Sequence, residues 1–206
     1  ESGALSREEG ERLLIFCNNA GPGFLLGICG GAVFTSPRAG AALYLIHAAS
    51  ALFTGILLTR RLPPLSAPFS AGAAPRRSVS LSAALPAAVQ GALAGILNVC
   101  AFVVFFTVCT RLLLRVLPES FAFSLPCALL IGFFELTSGV TALPPTRAGF
   151  LACAALLAWG GLSVHCQTLS ALSASALSAR YYLRAKAAQA LLSVILSLPA
   201  LPFLFP

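Results

Sequence analysis

The sequence predicts an all-α protein whose helices cross a lipid bilayer several times. Of its 206 residues, 58% are hydrophobic and only 9% are charged, whereas about 25% of the residues of a soluble domain are charged. Uncharged apolar stretches of roughly the 20 residues that a helix needs to cross a bilayer follow one another along the chain. The net charge of +7 comes from basic residues in short groups between these stretches. That arrangement is typical of membrane topology and argues against a nucleic-acid surface.

The first part of the chain is predicted to lead into the membrane from the cytoplasm. Residues 1–12 carry most of the acidic side chains and lack the apolar core of a signal peptide. Residues 13–59 are interpreted as a broken helix (13–34) followed by an uncharged span (39–59). Residues 60–78 are rich in Pro, Ser and Arg, which predicts a flexible cytoplasmic loop. Because the sequence contains no methionine, we expect it to start partway through a longer protein.

Residues 79–206 are predicted to hold a second set of membrane segments. The uncharged stretch 79–110 is longer than one crossing needs, so we expect residues 79–90 at the membrane interface and a crossing at 91–110. The remaining apolar segments are residues 121–143, 148–179 (interrupted at 160–168) and 187–206. Glycines four residues apart predict close helix packing; they are Gly23, Gly27 and Gly31 in the first part and Gly91 and Gly95 in the second.

The distribution of Lys and Arg predicts that residues 121–143 enter and leave the membrane on the same side. If every segment crossed once, the two sides would carry seven and six basic residues, which is no bias. With a re-entrant hairpin that turns near Glu135, the cytoplasmic side carries nine and the other side four, as the positive-inside rule favours. The predicted architecture is therefore a polytopic helical protein with about five crossings, one re-entrant hairpin and broken helices.

Asn18, Asn19, Gly21, Pro22 and Gly23 form the first polar interruption of an apolar segment. Irregular backbone at bilayer depth is tolerated only against protein or a water-filled cavity, because unpaired polar groups in hydrocarbon are costly. A half-helix that starts after the break would point free N–H groups and its positive dipole end at such a cavity, which suits an anionic solute. The structural alternative is a kinked helix whose amides bind a neighbouring helix.

Glu135 forms the second interruption, together with Thr137, Ser138 and Gly139. A carboxyl group within an apolar segment is rare and indicates a functional site. We expect Glu135 to hold a coupling proton or cation. The alternative is a glutamate that hydrogen-bonds neighbouring helix ends and locks the tip of the hairpin.

Ser163, His165 and Gln167 form the third interruption, directly after Gly160 and Gly161. Their spacing spreads them around a regular helix but places them on one side of an unwound stretch, which the glycines favour. We therefore expect these three side chains to line the opposite side of the solute cavity. The alternative is a histidine that hydrogen-bonds a backbone carbonyl between helices. For the isolated His47, packing is the preferred interpretation.

Neither catalysis nor metal binding is predicted. The sequence has no Asp and none of the usual hydrolase or metalloprotease motifs. Its seven cysteines form no C-x-x-C pair and lie in apolar stretches, where Cys packs as a small apolar side chain. With only two histidines, a zinc site is not expected. We therefore expect a non-enzymatic protein without a cofactor or metal.

Three motifs, in this order, resemble the sporulation integral membrane protein YlbJ family. They are EGERLLIFCNNAGPGF (residues 9–24), GFFELTSG (132–139) and WGGLSVHCQ (159–167). That family belongs with the nucleoside-recognition (Gate) domain proteins, which look distantly like concentrative nucleoside transporters. Family members carry a preceding half with a Gly-Tyr-Pro-containing hairpin, which these residues lack. The resemblance therefore implies the C-terminal part of an inverted-repeat transporter-like fold.

The resemblance also implies a function. It predicts a multi-pass protein, in the mother-cell-derived membrane around the forespore, that moves dipicolinic acid. The Glu135 segment would be the second hairpin, the His165 segment its broken helix, and the Asn18–Asn19 segment the broken helix of the first repeat. The expected partners are the lipid bilayer, a small anionic solute and a coupling proton or cation, with a homo-oligomer left open. The alternatives are a non-transporting scaffold of the sporulation septum and a nucleoside-binding or nucleoside-transporting protein.

Overall fold

The computed structural model describes residues 5–65, 80–173, 175 and 177–205, and these contain helices and no β-strand. The first part consists of helix α1 (Arg7–Cys17), a π-helix (Phe24–Val33) and α2 (Pro37–Thr59). Then come α3 (Leu81–Leu114), the short pair α4 (Leu125–Phe134) and α5 (Leu136–Thr141), and α6 (Arg147–Trp159). The chain ends with α7 (Gly161–Leu172), α8 (Arg180–Ser197) and the short α9 (Leu201–Leu204).

Several of these helices begin at a residue whose side chain caps them. Ser6 caps α1 in a capping box with Glu9, and Ser36 caps α2, whose first residue is Pro37. Ser124 and Thr146 cap α4 and α6 in the same way, each accepting a hydrogen bond from a backbone N–H of the first turn. Such caps satisfy donors that have no partner within the helix, so these starting points are encoded locally.

Within the described ranges, four helical segments are long and apolar enough to cross a membrane, which is consistent with a membrane protein. They are Pro37–Thr59, Leu81–Leu114, Arg147–Leu172 and Arg180–Leu204. The predicted first crossing, residues 13–34, is instead divided between α1 and the π-helix, which are both too short to span a bilayer alone. The predicted count of five crossings therefore stays a prediction.

The apolar core lies between the π-helix, α2 and α6. Its largest fully buried side chains include Leu25, Leu43, Phe150 and Leu157. Gly30 and Gly40 bring the π-helix and α2 into backbone contact, because a Cβ on Gly30 would lie 2.6 Å from the Gly40 Cα. Helix α8 packs against both α6 and α2 and so closes the bundle on one side.

Residues 125–141 form a hairpin of two short helices. The chain turns at Glu135, and Gly139 returns so close to Gly132 that a Cβ on Gly139 would lie 2.0 Å from the Gly132 Cα. Residues seven apart in a continuous helix are about 10 Å apart along its axis. The backbone contact therefore requires the chain to fold back on itself at the predicted turn. The re-entrant position of this hairpin in a membrane stays a prediction.

Helix α3 differs from the prediction for residues 79–110. It is one continuous helix of 34 residues, about 51 Å long at 1.5 Å per residue, with no separate interfacial part after Ser80. None of the residues in its most apolar part is buried by the rest of the described chain. A Cβ added to Gly91 or Gly95 would have no other group within 4 Å, so the packing role predicted for these glycines is wrong within this chain.

The glycines of the π-helix, the start of the last span and the loop after α2 can also be compared with their predictions. Gly23 and Gly27 also have open space around them, and a Cβ on Gly31 would meet only a carbonyl of its own helix, at 3.8 Å. The last span begins at Arg180, earlier than the predicted residue 187, and it includes Lys186. Of the loop predicted at residues 60–78, only residues 60–65 lie within the described part of the chain.

Candidate functional site

Two helix breaks and the hairpin meet around one cavity of about 210 Å³. The first break separates α1 from the π-helix, and the second separates α6 from α7. Helix α8 forms the remaining wall. The cavity is lined by Asn18, Asn19, Ala20, Leu136, Leu157, Gly160, Val164, Gln167 and Lys186.

The first break covers residues 18–21, where the chain leaves helical geometry at Asn18 (φ −89°, ψ 94°). Helix resumes at Pro22, which suits a helix start because it has no N–H to satisfy. The Ala20 N–H, which the break leaves without a helical partner, donates to His47 Nε2 at 3.3 Å. His47 is buried and so holds the break against α2, in agreement with a packing role.

The two asparagine side chains are engaged by protein groups. Asn18 Nδ2 donates to Thr168 Oγ1 at 2.7 Å and to the Tyr182 hydroxyl at 2.9 Å. Asn19 Nδ2 donates to the Phe16 carbonyl at 2.5 Å, and Asn19 Oδ1 accepts from Gln189 Nε2 at 3.2 Å. This corrects the expectation that both amides are free to donate to a solute, because both N–H groups of Asn18 bind α7 and α8 and one of the two on Asn19 binds the end of α1.

Gly21 ends the break, Pro22 and Gly23 begin the next helix, and none of the three lines the cavity. All three are exposed, and a Cβ on either glycine would have no other group within 4 Å. The start of the π-helix is also not open, since the N–H groups of Phe24 and Leu25 bind the Gly21 carbonyl. The anion site predicted at this half-helix end is therefore not formed. The residues of this segment that reach the cavity are Asn18, Asn19 and Ala20.

The second break is confined to Gly160 and Gly161, which have φ values of 91° and 78°. These left-handed conformations favour glycine. A Cβ on Gly161 would also lie 3.0 Å from the Leu136 backbone nitrogen, so the break packs directly against the hairpin turn. The prediction of an unwound stretch over residues 160–168 is wrong, because α7 is helical from Gly161 onward.

Because α7 is helical, Ser163, His165 and Gln167 do not share one side. Gln167 lines the cavity, and Ser163 is fully buried. His165 does not line the cavity. Its Nδ1 lies 2.9 Å from the Tyr182 hydroxyl, and its ring packs edge-on against Trp159 with 4.5 Å between the ring centroids. Of the three, only Gln167 has the position predicted for it.

Glu135 closes the hairpin by capping α5. Its side chain is buried, and its two oxygens accept from the backbone N–H groups of Thr137 at 2.9 Å and Ser138 at 2.7 Å. This is the tip-locking geometry that the sequence left open as an alternative. Thr137, Ser138 and Gly139 do not line the cavity, to which the hairpin contributes Leu136.

We expect Glu135→Ala to destabilise the protein by about 1–2 kcal/mol, because loss of a cap leaves buried donors unpaired. Glu135→Gln keeps one acceptor oxygen and should cost less. Thermal unfolding of the two purified variants in lipid nanodiscs measures both effects. Full thermal stability of Glu135→Ala would show that the cap does not hold the hairpin.

Lys186 is a functional candidate that the sequence reasoning missed. Its side chain is only 2% exposed, and Nζ donates to the Asn18 carbonyl at 3.0 Å and to Gln189 Oε1 at 2.9 Å. No carboxylate of the described residues forms a salt bridge with it. Because an ammonium has three N–H donors, one donor is left to face the cavity.

Two signals in the sequence point to Lys186. It is the only lysine, since all other basic residues are arginines. It also belongs to a row of polar residues at helical spacing on an apolar helix. The row is buried in the bundle and consists of Tyr182, Lys186, Gln189, Ser193 and Ser197. Because the last span was predicted to begin at residue 187, Lys186 was assigned to the preceding loop and the polar row on α8 was not recognised.

The cavity therefore presents the Lys186 ammonium, which has no salt bridge to any described carboxylate, together with the Gln167 amide and several apolar side chains. In the described part of the chain, no three His, Cys, Asp or Glu side chains are grouped to hold a metal ion. Comparisons of the chain with protein-family models, with curated proteins and with solved structures found no match. What the site can bind therefore has to follow from the chemistry of the cavity itself.

Proposed function

We propose that this chain is a multi-pass membrane protein of spore formation that moves a small anionic solute of the dipicolinate class across the membrane. The observation that carries the proposal is the buried Lys186 ammonium, which faces a cavity between two broken helices and has no acidic partner among the described residues. An uncompensated charge is expensive in a low-dielectric interior. A bound carboxylate would compensate it.

The positions of the acidic residues support the proposal that an external anion neutralises Lys186. All six acidic residues are glutamates, and only Glu119 and Glu135 lie beyond residue 11. Glu119 is exposed, and both Glu135 oxygens already bind backbone donors of α5. No carboxylate of the described residues forms a salt bridge with Lys186, so the proposal assigns its neutralisation to an external anion. This proposal leaves Glu135 as the lock of the hairpin and assigns it no ion-coupling role.

The size and position of the cavity support a small solute. Pockets for drug-sized ligands measure roughly 300–1,000 Å³, so about 210 Å³ suits a smaller molecule. Sites between discontinuous helices are typical of secondary transporters, which change access around a fixed binding point. The proposed location is the membrane around the forespore, as the resemblance to the YlbJ family implies.

The proposal is tested by ligand-induced thermal stabilisation of the protein in lipid nanodiscs. We expect pyridine-2,6-dicarboxylate to raise the melting temperature and to be taken up by proteoliposomes. Pyridine-2,6-dicarboxamide, which has nearly the same shape and no charge, is the matched control and should do neither. Stabilisation by uridine alone would favour nucleoside binding. Absence of any ligand effect or uptake would favour the septum scaffold.

A further inference from the structure

A wide groove lies beside the Lys186 cavity, between α1, α3 and α7. Its volume is about 470 Å³, and it shares Asn18, Val164 and Gln167 with the cavity. On the other side it is bounded by Gly95, Asn98 and Val99 of α3. The Asn18 and Gln167 side chains thus form a common boundary between the two spaces.

Two amide side chains face this groove without a partner. Asn98 lies in the middle of the apolar α3, and Gln167 lies on α7 opposite it. Neither side chain has a hydrogen bond to any other described residue. At bilayer depth an unpaired amide is costly, so we expect each of these two groups to bind water or a polar ligand in the groove.

The groove stays open beside Gly95, although α3 contacts α7. A Cβ on Gly95 would have no other group within 4 Å. The apolar lining of the groove, which includes Leu14 and Leu172, suits the body of an organic molecule, and the amides suit a carboxylate as acceptor.

We propose that this groove is the route by which the anionic solute reaches Lys186, and that Asn98 and Gln167 form a second solute-binding subsite on that route. The inference rests on the proposed function and adds to it a location and a residue of α3. The Asn98 and Gln167 amides donate to the carboxylate while its ring lies against the apolar wall. The solute then passes Asn18 and Val164 to the ammonium.

The first test blocks the groove. Gly95→Trp places an indole in the open space, and Leu93→Trp, on the exposed opposite side of the same helix, is the matched control. In proteoliposomes we expect Gly95→Trp to lower the initial rate of pyridine-2,6-dicarboxylate uptake at least about tenfold, with Leu93→Trp at the wild-type rate. An unchanged rate in Gly95→Trp overturns the route.

The second test needs no variant and covers a failure of Gly95→Trp to fold. Cys17 is exposed in the groove, whereas Cys100 of α3 is exposed outside it. In nanodiscs, the anionic thiol reagent sodium (2-sulfonatoethyl) methanethiosulfonate should modify Cys17 at least about tenfold faster than Cys100, as measured by mass spectrometry. Equal rates would mean that lipid or a second copy of the chain fills the groove, and would overturn the proposal.

The route and the proposed function can fail separately. If Lys186→Met abolishes binding and uptake but Gly95→Trp does not slow uptake, the route is wrong and the proposed function stands. If the wild-type protein neither binds nor transports the dicarboxylate, both are wrong.

Discussion

Lys186→Met is expected to weaken binding of pyridine-2,6-dicarboxylate roughly 10- to 150-fold, because a hydrogen bond to a charged group contributes about 1.5–3 kcal/mol. Methionine has a similar length and no charge, so the substitution removes the ammonium and little volume. Isothermal titration in nanodiscs measures the loss. Uptake into proteoliposomes should fall with it.

The same substitution should not lower the thermal stability of the ligand-free protein. The ammonium is buried without an acidic partner among the described residues, so its removal relieves a desolvation penalty that offsets the two lost hydrogen bonds. Arg184→Met, on the exposed side of the same helix, is the control and should bind normally. Wild-type affinity in Lys186→Met would refute the anion site, and an unfolded variant would assign Lys186 a structural role.

Gly139→Ala is expected to destabilise the fold by about 3 kcal/mol or more, at the upper end of the range for overpacking. The added Cβ would lie 2.0 Å from the Gly132 Cα and 2.3 Å from the Gly132 nitrogen. Both are backbone atoms, so no side chain can move aside. The hairpin would have to open and would withdraw Leu136 from the cavity wall.

Gly91→Ala provides the comparison for Gly139→Ala. It makes the same chemical change inside α3, where the new Cβ would meet no other group within 4 Å. Alanine is favoured over glycine in a helix by about 1 kcal/mol, so the melting temperature should hold or rise. Equal melting temperatures for the two variants would show that the glycine contact does not hold the hairpin closed.

Much of the architecture could be predicted from local chemistry. Long uncharged segments predicted α2 and the apolar parts of α3, and the Asn18–Gly23 interruption predicted the first break. The turn of the hairpin followed from the polar residues around Glu135 that interrupt its apolar segment. These features depend on short stretches of sequence, where composition and turn residues act directly.

The site was harder to predict because it depends on which helices become neighbours. Nothing around Asn18 indicates that its amide binds Thr168 and Tyr182, which lie far along the chain. The extent of the break after Gly160 was overestimated, because two glycines with positive φ are enough to turn the chain before α7 resumes. Lys186 was missed because it follows two arginines that are exposed.

The two breaks are held in different ways, and this difference indicates where the protein can move. In the Gly160–Gly161 break, Gly161 lies against the Leu136 backbone without room for a side chain. The hairpin and this break are therefore held rigidly together. The Asn18–Ala20 break is held by exchangeable hydrogen bonds to Thr168, Gln189 and His47. Water or solute can replace these bonds one at a time, so we expect the chain to loosen first at residues 18–20, while the Gly30–Gly40 contact keeps the π-helix against α2.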